Sequence, residues 1–367
     1  MRDVAAEAGV SAMTVSNALT GRRPVSDSTR RLVMETVERL GYQVNVAARS
    51  LRQGRTGVVG IAVPTLDSHY YSRLAHHLVL AFAQSGMATV VEETHASREG
   101  EIAAFRDSRL NAYDGLVIAA LGLTEREINA LSREVPVVVL GEQELHQSVD
   151  HVSMPNVEGA EAATRLLLDR GCRHLALVGF PTLEDLDDVT LPEGAAFVLR
   201  AQGFARVVRE AGIPASAAYA GVTQAAGVEC AHELLSRGEV PDGIVCVTDT
   251  LAFGVVRGLA DHGVRVPDDV LVVGFDDVED ARFHIPSLTS VAPDLQGLVD
   301  ETVRLLARRI ADPSAVPQDV TVSYGIVERE STTRAGAGRP GADRPGAGRL
   351  SAGRRSAGRR PPRATGR

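Results

Sequence analysis

The chain has 367 residues, 44% hydrophobic and 23% charged, which is ordinary composition for two or three folded units with sizeable cores. Three scattered cysteines, Cys172, Cys230 and Cys246, exclude a disulfide framework and a zinc site and point to a reducing cytoplasm, while signal-peptide and membrane-spanning patterns are absent. The formal charge of −8 hides a division: residues 1–60 carry nine arginines against five acids, residues 61–332 carry 20 against 41, and residues 333–367 carry ten against one. A basic head and tail flanking an acidic body confine polyanion binding to the ends.

The first 43 residues predict three short helices. Asp3 to Ala8 is helix-forming, and Gly9-Val10-Ser11 then makes a turn. Ser11 caps a second helix, Ala12 to Leu19, with Val15 and Leu19 one turn apart on its buried face. Ser26 caps a third, in which Leu32, Val33, Val37 and Leu40 form one apolar stripe and Gly41 supplies the stop. Two helices joined by a glycine turn and braced by a third have helix-turn-helix spacing.

From Val58 onward the pattern becomes alternating strands and helices. Val58 to Val63 reads as a buried strand and Leu74 to Ser85 as the helix after it. Further buried strands are expected at 88–91, 115–119, 135–140, 174–179, 244–248 and 269–275. Continuous apolar strands separated by helices imply parallel sheet covered on both faces. The stretch is too long for one doubly wound sheet, so two lobes with a cleft between them are expected. After Thr333 the chain turns to Arg, Gly, Ala and Pro with almost nothing to bury, and disorder is expected there. Its arginines either add sequence-independent DNA affinity or are low-complexity sequence with no role, and the second is the expectation.

Several motifs stand at fixed spacing in the head: Asp3-Val4-Ala5, Ala8-Gly9-Val10-Ser11, Thr14-Val15-Ser16-Asn17-Ala18-Leu19, Val25-Ser26, Leu40-Gly41-Tyr42, Asn45 and Ala48-Arg49-Ser50-Leu51. On these residues the chain resembles the Lac repressor/Gal repressor family of bacterial transcription regulators. The resemblance resumes in the body, at Val266-Pro267-Asp268-Asp269-Val270, Val273-Gly274-Phe275-Asp276-Asp277 and Ile285-Pro286-Ser287-Leu288-Thr289. It implies a helix-turn-helix headpiece over 1–43, a hinge helix and linker over 44–56, a two-lobed periplasmic-binding-protein-like body over 57–333, and a basic tail over 334–367. The chain begins slightly late against the family pattern and lacks the threonine that caps the first helix, so a misassigned start codon or a frayed first turn is expected.

The resemblance assigns roles to single residues. Ala12, Met13 and Asn17 hold the base-reading positions of the second helix; an asparagine can pair two-pronged with adenine, and apolar groups can touch a thymine methyl. Ser11, Thr14, Ser16, Thr20, Arg22 and Arg23 are the expected phosphate contacts, which set register without reading sequence. In the hinge, Asn45 caps, Ala48 permits close pairing with the second subunit's copy, and Leu51 is the expected minor-groove wedge. In the cleft, Asp276, Arg200 and Asp249 match effector-binding positions, and Tyr70 and Tyr71 stand in the first cleft loop, where the family commonly has phenylalanines. Gly141-Glu142 and Pro155-Asn156 also depart from the family pattern, which commonly has an aspartate after the fourth strand and an aspartate–asparagine pair. No particular sugar is therefore carried over.

No metal-ligand spacing and no nucleophile elbow occurs, and the absence of lysine excludes a phosphate-binding Gly-Lys loop. The expected function is a cytoplasmic repressor, not an enzyme, without cofactor or metal. It binds a palindromic double-stranded DNA operator as a homodimer, under allosteric control by a small molecule, expected to be a carbohydrate. The alternative is a cytoplasmic sugar-binding module whose head no longer reads DNA.

Overall fold

The computed structural model describes residues 1–20, 23–41, 55–110, 113–142, 145, 148–183, 195–238 and 240–334. The expected roles of Arg22, Asn45, Ala48 and Leu51, the Thr20 side chain and the tail lie outside them.

The head is three helices, α1 (Arg2–Glu7), α2 (Ala12–Thr20) and α3 (Asp27–Arg39), around a small core of Val4, Ala5, Ala8, Val15, Ala18 and Val33. Gly9 takes φ +62°, which lets the chain turn between α1 and α2. The Ser11 hydroxyl accepts the Thr14 amide at 3.0 Å and the Ser26 hydroxyl that of Thr29 at 3.2 Å, so both predicted caps are in place. The position before α1 is Met1, which supplies no side-chain cap. The stripe expected on α3 needs correction: Leu32 and Leu40 are 45% and 44% exposed. Val33 and Val37 of that stripe do pack on the core, with the buried Thr36 beside them, while Leu32, about 100° round the helix from Val33, points away.

The body is two six-stranded sheets. The first takes β1 (Val58–Val63), β2 (Ala88–Glu93), β3 (Gly115–Ala119), β4 (Val137–Leu140), β5 (Asp150–Ser153) and β11 (Asp319–Thr321), in the spatial order 11-5-4-3-1-2, all parallel. The second takes β6 (Leu175–Val178), β7 (Ala215–Ala218), β8 (Gly243–Cys246), β9 (Leu271–Phe275), β10 (Thr289–Pro293) and β12 (Tyr324–Val327), in the order 12-10-9-8-6-7, with only the β10–β12 edge antiparallel. The helices between them are α4 (His69–Gln84), α5 (Arg98–Leu110), α6 (Glu125–Leu131), α7 (Asn156–Asp169), α8 (Ala195–Ala211), α9 (Gln224–Ser236), α10 (Asp249–Asp261), α11 (Asp280–Phe283) and α12 (Leu295–Ala311). The helix after β1 therefore starts five residues before the predicted Leu74, since Ser68-His69-Tyr70-Tyr71 opens the helix itself.

The chain passes between the lobes three times: from β5 into α7, from β10 into α12, and from β11 to β12. Each sheet is sealed by its own cluster of aliphatic residues, with Phe204 and Phe275 fully buried in the second lobe and Phe82 in the first. Burying one such side chain contributes about 1.5–3 kcal/mol.

Helices α9 and α10 touch backbone to backbone through Gly227 and Gly254. A Cβ at Gly254 would meet the Gln224 carbonyl oxygen at 2.0 Å, and one at Gly227 that of Leu251 at 2.3 Å. Gly254→Val is expected to cost about 1–3 kcal/mol by forcing the helices apart. Gly325→Ala, where nothing lies within 4 Å of the added carbon, should stay within about 0.5 kcal/mol of the parent. Denaturant unfolding of the two variants checks the contrast, and equal midpoints would refute the close-approach account.

Candidate functional site

Two surfaces gather the chemistry. On α2, Val15 and Ala18 face the head's core, which turns Met13, Ser16 and Asn17 to the opposite side. Met13 is 68% exposed and Ala12 is exposed beside it, while Asn17 is half-buried one turn on. A methionine held out in water is not packing the headpiece. Ser11 and Thr14 share a hydroxyl–hydroxyl bond of 2.8 Å at the start of the helix, and Arg23 is exposed.

The second surface is the cleft. Strand β9 ends at Phe275 and runs on into a turn, Asp276-Asp277. Gly274 is required because a Cβ there would lie 2.1 Å from the Asp249 carboxylate. Asp276 and Asp277 take positive φ, +106° and +47°, a conformation that costs about 1–3 kcal/mol at a non-glycine residue. That turn directs Asp276 toward Arg200, whose Nη2 lies 3.3 Å from the Asp276 Oδ1. Arg200 is 3% exposed. Its Nε donates to the Asn156 Oδ1 at 2.7 Å, its Nη1 to the Val247 carbonyl, and its guanidinium carbon lies 3.6 Å from the centre of the Phe275 ring.

Asp249 opens α10 fully buried, and its two oxygens accept the Ser290 hydroxyl at 2.6 Å and the Val278 amide at 2.9 Å. It thus ties α10 to β10 and to the turn after β9, and acts on the cleft through Asp276. Opposite, Tyr70 and Tyr71 stack edge to face at 5.1 Å, and the Tyr70 hydroxyl donates to the Met154 sulfur at 3.5 Å. A narrow cavity between the lobes is lined by Tyr70, Arg73, Met154, Asp276, Val278 and Leu295 among others. Of the predicted cleft residues, Tyr70, Tyr71, Arg200 and Asp276 come together, with Asp249 behind them.

Glu142 and Asn156, marked in the sequence only as departures from the family pattern, belong to the site. The Met154 amide donates to the Glu142 Oε1 at 3.2 Å, and Asn156 holds Arg200 while donating to the Met154 carbonyl at 3.3 Å. Glu142 could have been found from its place two residues past the end of β4, since ligands of doubly wound sheets lie beyond the carboxyl ends of the strands. Among the described residues no cluster of His, Cys, Asp and Glu could hold a metal ion, and no helix is long and apolar enough to cross a membrane.

Burial dominates the electrostatics. It lifts the Asp276 carboxyl to about 6 against the opposing pull of Arg200, and it lifts Glu142 to about 7. Asp249 is driven well above the usual range by burial and then by the charge of Asp276, and burial raises both tyrosine hydroxyls, which stay protonated donors. A carboxyl whose folded pKa exceeds its unfolded value binds a proton more tightly when folded. Its contribution is full below the unfolded value of about 4 and is lost as pH rises through the folded value. Stability of the ligand-free protein should therefore fall between pH 5 and about 7, and Glu142→Gln should flatten the upper part of that slope. Thermal unfolding across pH 5–8 tests this; an unchanged slope in the variant would remove Glu142 from the account.

Residues 1–45 match the bacterial regulatory proteins of the lacI family, and residues 164–332 match the periplasmic binding protein-like domain. A structure from Sanguibacter keddieii described as a transcriptional regulator of the LacI family is 35% identical, covering 76% of this chain and 99% of that one, with a TM-score of 0.67. Catabolite control protein A of Priestia megaterium is 29% identical over 334 residues, 90% of this chain and 98% of the relative. The Lac repressor dimer bound to operator and the anti-inducer ONPF is 26% identical, covering 90% of this chain and 98% of that one, with a TM-score of 0.76. The helix-turn-helix head, the two parallel-sheet lobes and these likenesses agree: the chain belongs to the LacI family of DNA-binding transcription regulators.

Proposed function

We propose that the protein is a repressor that binds a palindromic operator as a homodimer and is controlled by a small molecule, a sugar, held in the cleft. The observation that carries this reading is where the cleft groups sit. Met154 and Asn156 lie at the first lobe crossing and Pro293 and Leu295 at the second, so a ligand touching them bears directly on the angle between the lobes. The lobes already grip each other at its mouth: Arg73 Nη1 donates to the Asp277 carbonyl at 2.7 Å, and His69 Nε2 lies 3.3 Å from the Asp280 carboxylate. A ligand that binds one lobe angle better than another shifts the population, and the coupling to DNA is reciprocal.

In this reading Met13 and Asn17 read bases with Ala12, and Ser11, Thr14, Ser16, Thr20, Arg22 and Arg23 hold phosphates. The segment with Asn45, Ala48 and Leu51 forms the hinge, whose leucine wedges the minor groove. The second lobe offers a face for a second copy, because Phe283 and Ile285 are 67% and 89% exposed, side by side with a pocket formed by Phe253, Gly254 and His284. The boundaries are 1–43 for the headpiece, 44–56 for the hinge, 57–333 for the effector and dimerisation body and 334–367 for the tail. The work is regulatory and not catalytic, and it takes place in the cytoplasm.

Selection of bound fragments from random double-stranded DNA, with the full chain near physiological salt, should recover a short palindrome. Asn17→Ala should relax the preference at one position of each half-site by about 1–3 kcal/mol while leaving binding to random DNA unchanged. Recovery of no motif, with binding that fades as salt rises, would overturn the reading in favour of a sugar-binding module with a degenerate head. On the recovered operator, Asp276→Ala should abolish the response to the effector with operator affinity intact. A retained response would place the effector elsewhere.

A further inference from the structure

We propose that the angle between the lobes reaches the hinge through Asp150, a buried carboxylate that ties together the first-lobe ends of all three crossings. Asp114 and Arg55 then fasten the hinge exit to the same place. All three are positioning residues, acting on DNA through the chain they hold. The inference deepens the reading of a repressor governed from its cleft and rests on it.

Each crossing joins the first lobe through a different element: the first through β5, the second through α12 and the third through β11. The ends of those elements remote from the crossings meet at Asp150, the fully buried first residue of β5. Its Oδ1 accepts from Arg308 Nη2 at 3.1 Å and from the Gln318 amide at 2.9 Å, and its Oδ2 from Arg309 Nε at 2.8 Å. Both arginines stand in the last turn of α12, and Gln318 directly precedes β11. Arg309 also donates to the Pro313 and Ala315 carbonyls, which holds the loop from α12 to β11. Losing either guanidinium would leave an uncompensated buried charge, so the three ends are held as one. Helix α12, 17 residues and about 25 Å long, runs from Leu295 in the cavity lining to this junction.

The hinge segment is fastened beside it. Arg55 Nη2 donates to the Ile310 carbonyl, in the last turn of α12, at 3.1 Å. Asp114 takes three bonds from the next two residues. Its Oδ1 accepts the Thr56 amide at 2.7 Å and the Thr56 hydroxyl at 3.0 Å, and its Oδ2 accepts the Gly57 amide at 2.9 Å. Backbone bonds from Asp114 to Val58 and from Ala88 to Gly57, both 2.8 Å, already set the entry to β1. The side-chain bonds therefore add a hold on the residues that precede the strand. The end of α12 lies hard against this clamp: a Cβ on Gly115 would sit 2.8 Å from Leu306 Cδ1 and 3.2 Å from Ile310 Cδ1. A ligand that favours one lobe angle thus displaces β5, α12 and β11 together and carries the hinge exit with them. Such a chain of contacts is a coupling only if both ends respond to it.

The test is a double-mutant cycle on the palindrome recovered by selection, with the full chain at fixed salt. His69→Ala with Arg73→Ala removes the two contacts that hold the lobes together at the cleft mouth. In the parent that pair should change operator affinity at least about fivefold. In a background of Arg55→Ala with Asp114→Asn, where an amide nitrogen cannot accept the second backbone N–H, the same pair should change it less than about twofold. Asp150→Asn should suppress the shift as well; should that variant fail to fold, the partly exposed Arg55 and Asp114 carry the test. A purely structural role would lower the melting midpoint of the background and leave the shift intact. A shift of equal size in both backgrounds would overturn the junction while leaving the cleft and operator reading in place. No shift in the parent, or no palindrome to measure it on, would overturn both.

Discussion

The body depends on holding one guanidinium in a site almost closed to solvent. Arg200 stands on α8, yet its bonds run to the start of α7, to the end of β8 and to the turn after β9, and it lies over the last aromatic of that strand. Removing either member of such a buried pair leaves an uncompensated charge, which is costly; replacing both by apolar groups often is not. Retention of the pair is therefore weak support for stability and stronger support for a site that needs polar groups in place before a ligand arrives.

Everything around Arg200 serves that end. Two consecutive aspartates accept a left-handed backbone so that one can face the arginine. A glycine two residues before the first of them makes room for Asp249, which holds the turn by its amide at Val278. At the first crossing Asn156 holds Arg200, and Met154, two residues earlier on the first-lobe side, bonds both Glu142 and Tyr70. The polar network thus spans the segments that would have to bend for the lobes to move. Strain and unpaired acceptor capacity are concentrated in one place, as expected where a fold trades stability for a ligand.

Long apolar strands and capped helices were legible from local chemistry. Strand β1 lies where its six-residue apolar run predicts, and Ser11 and Ser26 cap their helices. The strands that escaped notice, β5, β7, β10, β11 and β12, are short and carry Asp, Ser, Ala or Gly, and their identity comes from the neighbour they pair with. Leu32 and Leu40 misled for a related reason. An apolar residue states a preference for burial, but the head's core was already filled by smaller side chains from three helices.

By itself the sequence determined the helix-turn-helix head, the alternation that makes two parallel sheets, and the motif around Asp276. Each rests on spacing along the chain, which backbone geometry converts directly into a turn, a period or a cap. The tertiary structure alone decided which groups share the cleft. Asn156 and Arg200 are 44 residues apart, and Tyr70 meets Met154 across 84. Those distances close only when the chain has folded back on itself within each lobe, so no local pattern encodes them. Glu142 belongs with Asp276 for the same reason: desolvation by both lobes together, and not anything in its own segment, gives that carboxylate its character.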